Sequence, residues 1–249
     1  MRIRAYGLLP ILLVAGIGCG GNSGSMTQPG TGPWVPLKVG NSWTYTVTDV
    51  DGSVSAKVQG VTAQTLVGGT GPSASKMAYK LVTGDRFDDK NGDVSYQDWV
   101  DSRLVRYREI SISGSSGATK KEEHYDPARL RLDDTEGHRS MGDSWPESYT
   151  TVEIDTPSVA ADAGVPDGGA GADAGVITTM KQVVDVWNVI AVDQTVTVPK
   201  GTFKALVVQR LGNSGASDKT FWFVRGIGKV KETGVGDQTE VLSDYEIKP

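Results

Sequence analysis

The chain has 249 residues, with 25 lysines and arginines against 30 aspartates and glutamates, a formal net charge of −5, and a single cysteine. An acidic chain repels phosphate, and nucleic-acid binding calls for a basic patch or stripe, so no nucleic-acid partner is expected. One cysteine excludes internal disulfide staples, so stability must come from burial, for which Trp34, Trp43, Trp99, Trp145, Trp187 and Trp222 offer large apolar areas within one large β domain or two small ones.

Residues 1–18 have the physical parts of a secretory signal peptide. Arg2 and Arg4 give a positive start, Ala5 to Ile17 form an apolar run, and small residues precede Cys19. The run is too short for a bilayer span, which needs roughly 20 apolar residues. Its removal leaves 231 residues with 23 basic and 30 acidic groups, a net charge of −7. The lone thiol sits where the apolar run gives way to glycine, serine and asparagine, and no second cysteine can pair with it.

Residues 16–19, Gly-Ile-Gly-Cys, resemble the lipobox of bacterial lipoprotein signals, although Gly16 stands where leucine is most usual. The resemblance implies that Cys19 is acylated and becomes the mature N-terminus. It also implies the outer membrane, since Gly20 rather than aspartate follows the cysteine. Two or more acyl chains suffice for stable anchoring, at about 0.8 kcal/mol for each buried methylene. In the alternative reading the chain is an ordinary secreted protein and Cys19 is incidental.

Residues 19–33 have almost nothing to bury and read as a flexible tether, with a mean reach on the order of 20 Å. A second low-complexity stretch, Thr156 to Val176, is nearly all alanine, glycine, aspartate and proline and is expected to be a disordered insertion. Asp155, Asp162, Asp167 and Asp173 in or beside it lack the spacing of a calcium loop.

Elsewhere apolar and polar residues alternate. Trp43, Tyr45 and Val47 fall on one face of a strand and threonines on the other. The same period appears in 54–58, 77–82, 104–112, 195–198, 203–208, 221–230 and 241–247, punctuated by DDKNGD at 88–93 and PKG at 199–201. The best helix candidate, residues 118–132, is interrupted by Pro127. The fold class predicted is therefore mostly β over 34–248, an antiparallel meander forming a curved sheet, half-barrel or sandwich with at most one short helix.

The segment VGNSWTYTVTD at 39–49 has an echo in MGDSWPESYTTVEID at 141–155. Each is followed by a leucine strand and then a tryptophan strand. Trp43 to Leu81 is 38 residues and Trp145 to Leu206 is 61; Trp43 to Trp99 is 56 and Trp145 to Trp222 is 77. The second set is longer by 23 and 21, and Thr156 to Val176 is 21 residues, so one insertion nearly accounts for the difference. Two duplicated units, 34–125 and 126–248, are expected, against the alternative that any strand meander yields such matches. VPKGTFKALVVQR followed by FWFVRGIGKVKETG resembles the C-terminal signature of uncharacterised bacterial lipoprotein domains, which implies a curved antiparallel sheet and no assigned activity.

Residues that could carry chemistry are few. His124 and His138 are thirteen apart with no cysteine near, which does not suit zinc. Gly-x-Ser-x-Gly is absent, and the serines of residues 114–117 lie in a loop. Gly226 and Gly228 precede a strand and not a helix, so they suit a bend or close backbone approach better than a phosphate site. Asp85, Asp88, Asp89 and Asp93 surround Asn91-Gly92 and read as a charged turn before a calcium site.

No catalytic, cofactor or metal residues are assigned. The expected function is a lipid-anchored envelope protein with a structural or binding role, not an enzyme. The alternatives are a carrier of an apolar or lipid ligand, with Trp43, Trp99, Trp145, Trp187 and Trp222 as its ligand-facing residues, and a hydrolase with an unrecognised site. Deleting residues 157–175 is expected to leave the melting temperature unchanged in a thermal unfolding scan; a large drop would remove the insertion from the account of the two halves.

Overall fold

The computed structural model describes residues 32–84, 92–112, 120–156, 176–213, 218–234, 236 and 238–249. Cys19, most of the tether, the interior of the 156–176 insertion and Asp85, Asp88 and Asp89 lie outside them.

The described residues form twelve strands: β1 (Ser42–Thr48), β2 (Val54–Leu66), β3 (Met77–Thr83), β4 (Asp93–Val100), β5 (Arg103–Ile112), β6 (Lys120–Asp133), β7 (Ser144–Thr156), β8 (Ile177–Val198), β9 (Gly201–Gly212), β10 (Lys219–Val224), β11 (Gly228–Thr233) and β12 (Thr239–Glu246). Each pairs antiparallel with its sequence neighbours, and β1 pairs with β12, from Ser42↔Glu246 to Thr48↔Thr239. The meander predicted from the alternating pattern is therefore a closed barrel, not an open curved sheet, half-barrel or sandwich. Closure leaves no free edge, so every strand gains a second ladder.

The segment read as the best helix candidate is instead β6, and the helical turn present, Glu136–His138, is a single 3-10 turn. Pro127 fits in β6 because it falls in a gap. The ladder to β5 breaks between His124 and Arg129, and the ladder to β7 ends at Asp126, so the missing N–H breaks no rung. The run 221–230 divides into β10 and β11 around Arg225-Gly226-Ile227.

The main core gathers Trp43, Trp187, Phe203, Phe221, Phe223, Leu130, Leu132 and Leu242 with their neighbours. A strap, residues 33–37, lies across the end of the barrel where β1 begins. Gly226 N–H donates to Pro33 O at 2.9 Å, Trp99 Nε1 to Val35 O at 2.8 Å and Asn41 Nδ2 to Pro36 O at 2.7 Å. Trp34 donates to Asp134 at 2.9 Å and lies 4.3 Å beneath the Arg225 guanidinium. Gly228 explains its own identity here: φ is +114°, and a Cβ would stand 3.2 Å from Trp43 Nε1, whose N–H bonds the adjacent Ile227 carbonyl at 2.5 Å.

A second apolar cluster, Val67, Ala78, Val82, Val94, Tyr96, Val105 and Tyr107, lies on the outside, since Val94 and Tyr96 alternate with the inward Asp93, Ser95 and Gln97. Residues 67–76 cover it. They are held by Arg108, which donates to Val67 O at 2.8 Å and pairs with Glu122 at 2.9 Å, while Glu122 also bonds His124 at 2.7 Å. Gly69 and Gly71 permit the approach, because a Cβ on either would come within 2.5 Å of the His124 ring.

The two Gly-Asx-Ser-Trp segments have the same geometry. Gly40 and Gly142 both have φ of +93°. Gly40 bonds Val61 O at 2.8 Å and Gly142 bonds Val189 O at 2.9 Å; Asn41 bonds Lys38 O and Asp143 bonds Ser140 O, both at 3.0 Å. Register irregularities follow at Val61/Ala63 in β2 and Val189/Ala191 in β8, then at Tyr96/Gln97 in β4 and Trp222/Phe223 in β10. We propose that β1–β6 and β7–β12 are two versions of one unit, their boundary lying in 134–143. The boundary expected at 125/126 falls inside β6.

Trp187 is 1% exposed and stacks on Phe221 at 6.0 Å. Trp187→Ala should cost about 3–5 kcal/mol of stability, the range for emptying a large aromatic from a packed core, measured by urea unfolding.

Candidate functional site

The barrel encloses a cavity of about 280 Å³. Apolar or aromatic groups line it at Val35, Trp43, Tyr45, Leu81, Leu104 and Phe223, and the other lining side chains are polar or charged. The strand period places them there. Lys57 and Gln59 of β2, Asp93, Ser95 and Gln97 of β4, and Arg129 and Arg131 of β6 are each two apart and share the inner face. Arg106 and Glu109 of β5 are three apart, reconciled by the register shift between Arg106 and Arg108. Arg210, Lys219, Lys229 and Glu232 complete the lining from β9, β10 and β11.

Two charge networks fill the interior. In the first, Glu240 accepts from Lys57 at 2.6 Å and from Lys229 at 2.7 Å, while Glu232 accepts from both Lys229 and Lys219. Burial opposes the charge on Lys229, but Glu232 and Glu240 outweigh it and hold its pKa above the ordinary lysine value. Burial also opposes ionisation of Glu232, which Lys229 and Lys219 overcome, holding the carboxyl well below the usual range. Lys57 moves the other way, lowered by burial and by Lys229.

The second network is richer in guanidinium. Arg106 pairs with Glu109, and Tyr125 donates to Glu109 at 3.2 Å. Asp185, 1% exposed, accepts from Tyr149 at 3.0 Å and lies 3.8 Å from both Arg129 and Arg210. Arg131 has no carboxylate at ion-pair distance among the described residues; its guanidinium lies 5.9 Å from the Phe221 ring, as does that of Arg210. Burial and the neighbouring Arg106, Arg210 and Arg129 push Arg131 down to about 9, so it remains charged at neutral pH.

The structure separates the five tryptophans expected to face a ligand. Trp43 lines the cavity. Trp99 is committed to the strap, and Trp145 is buried against His138, their rings 3.8 Å apart and near-parallel. Trp187 is core, and Trp222 lies on the outer wall, donating to Gln194 at 2.8 Å beneath Lys231. None of these four lines the cavity.

His124 belongs to the outer Arg108–Glu122 cluster, where Arg108 and Lys120 outweigh burial and hold Glu122 down to about 2. His138 contacts Asp133 at 2.9 Å and Thr135 at 3.2 Å. Asp93 lines the cavity, its pKa raised by burial and by Glu109. Among the described residues no group of three or more histidine, cysteine, aspartate or glutamate side chains is placed to hold a metal ion.

Sequence reading missed the arginines. The available signal was the alternation Arg129-Leu130-Arg131-Leu132, which as a strand puts two guanidiniums on one face. Residues 118–132 are weighed only as a helix candidate interrupted by Pro127, and the alternation at their end goes unread.

No protein-family model matches the chain, and no curated protein does. A crystal structure of similar outline, described as a "putative exported protein with YmcC-like fold" from Bacteroides fragilis, shares 13% identity over 86% of this chain and 98% of its own, with a TM-score of 0.49.

Because Lys229 and Lys219 hold the Glu232 carboxyl below its ordinary pKa against the effect of burial, its contribution is present at neutral pH and lost as acid protonates it. Glu232→Gln leaves Lys219 and Lys229 short of a counter-charge and should cost about 3–5 kcal/mol at pH 7. The difference from wild type should shrink as pH falls below about 4, by chemical denaturation across pH, while the exposed Glu246→Gln shows neither effect.

Proposed function

We propose that this protein is a binding protein of the cell envelope, lipid-anchored at Cys19, that takes a small polar ligand into the lumen of its barrel. The observation that carries the binding role is the cavity itself. A barrel of twelve strands is wider than the roughly eight whose interior side chains just fill, and the space of about 280 Å³ that remains is lined by polar or charged side chains at all but six positions, lysine and arginine foremost among them. That lining runs against the apolar carrier, the other reading of the tryptophan-rich strands. The histidines and most of the tryptophans hold the fold together, which favours binding over catalysis.

The strap supports an anchored arrangement. Residues 33–37 cross one end of the barrel, and the proposed tether precedes them in the chain. A flexible tether of about fourteen residues has a reach on the order of 20 Å, enough to hold the barrel clear of the headgroups.

The test of the anchor is mass spectrometry of the mature N-terminus with membrane fractionation. The expected result is an N-terminus at Cys19 carrying acyl chains, with wild type kept on membranes through a high-salt wash and Cys19→Ala released. A free thiol at position 19, or a Cys19→Ala product that stays wholly with membranes, would overturn it.

A further inference from the structure

The charges of the lumen do not balance. The lining holds seven basic side chains, Lys57, Arg106, Arg129, Arg131, Arg210, Lys219 and Lys229, against the carboxylates Asp93, Glu109 and Glu232. Adding Glu240 and Asp185 behind the lining leaves basic groups in excess, inside a chain whose net charge is −5. Two basic pairs are direct cross-strand neighbours: Arg106 opposite Arg129 between β5 and β6, and Lys219 opposite Arg210 between β10 and β9. Like charges directly opposite each other destabilise a sheet, and low dielectric strengthens the repulsion. Folding alone gives no reason to aim them at one space.

The arginine side shows what is missing. Arg131 lies beyond ion-pair distance of every carboxylate among the described residues, with Glu109 and Glu232 acting on it only from farther away, and although Arg106 pairs with Glu109 and Arg129 lies 3.8 Å from Asp185, the buried Nε groups of both have no hydrogen-bond acceptor. We infer that the lumen is an oxyanion site, in which a phosphate or carboxylate head is gripped by the forked guanidiniums of Arg106, Arg129 and Arg131. Guanidinium forks match the oxygens of either group. Gln97, whose backbone is paired with Arg106 and whose amide donates to Ser95 at 2.9 Å, offers polar contacts to the rest of the ligand. The volume is just below the roughly 300–1,000 Å³ of drug-sized sites, so the occupant is small. This deepens the binding reading and does not depend on the lipid anchor.

The experiment uses the full chain purified in mild detergent, with calorimetry and thermal unfolding in inorganic phosphate, sulfate or succinate, each compared with sodium chloride at equal ionic strength. The expected result is saturable heat and a raised melting temperature with phosphate or succinate, the better of the two identifying the head group. Arg131→Gln should weaken binding at least about tenfold, the loss of one charge-assisted contact, while ligand-free it melts at or above the wild-type temperature because a buried charge crowded by Arg106, Arg129 and Arg210 is gone. Arg131→Lys, which keeps the charge without the fork, should also lose affinity, and covers the case in which the glutamine variant does not fold. Lys231→Gln on the outer wall should bind as wild type. No effect of any oxyanion beyond chloride, or full affinity in both Arg131 variants, would sink the inference. A chain retained on membranes that binds no oxyanion would remove the ligand and leave the anchor standing.

Discussion

The pairing of β1 with β12 is the constraint on which the molecule depends. In an open meander of these strands, charged side chains on either face could reach water. Once the ladder closes, the period of two divides every strand into an outer and an inner set, and Lys57, Arg106, Arg129, Arg131, Arg210, Lys219 and Lys229 are committed to one shared interior. The ionic networks follow from that commitment. Glu232 and Glu240 bridge three lysines, and Asp185 sits among Arg129, Arg210 and Tyr149, because charges taken from water need partners within a few ångströms.

A wide barrel with a charged lumen needs stability from elsewhere. Much of it comes from the strapped end, where Trp43, Trp187, Phe203, Phe221 and Phe223 belong to one cluster and Trp34, Trp99 and Val241 pack against it. Some comes from outside, where residues 67–76 cover the Val94 and Tyr96 face and are fixed by Arg108 and Glu122. A charged interior of this kind adds little net stability.

The strap and the cavity meet. Val35 of the strap lines the cavity, and Trp99 from β4 holds it through the Val35 carbonyl. A pull on the tether would act first on Pro33 and Trp34, which are secured to Gly226, Arg225 and Asp134 and not to any arginine of the second network. The proposed anchor and the proposed ligand site are thus held by different contacts.

Local chemistry was enough to determine the strands. The alternation of Trp43, Tyr45 and Val47, the breaks at glycine, proline and Asx, and the paired Gly-Asx-Ser-Trp turns are properties of short segments, and short segments settle strand and turn. The role of Gly228 as a point of close approach was legible for the same reason, though its partner Trp43, 185 residues away in the chain, was not. Closure was decided only by tertiary structure, because an open sheet and a barrel share one period and differ in whether the first and last strands meet. The cavity was decided the same way. Arg106, Arg129, Arg131 and Arg210 are scattered over more than a hundred positions in three strands, and each reads alone as a solvated surface arginine. Their convergence exists only once twelve strands turn the same face inward, and with it the sign of the lumen, opposite to that of the chain.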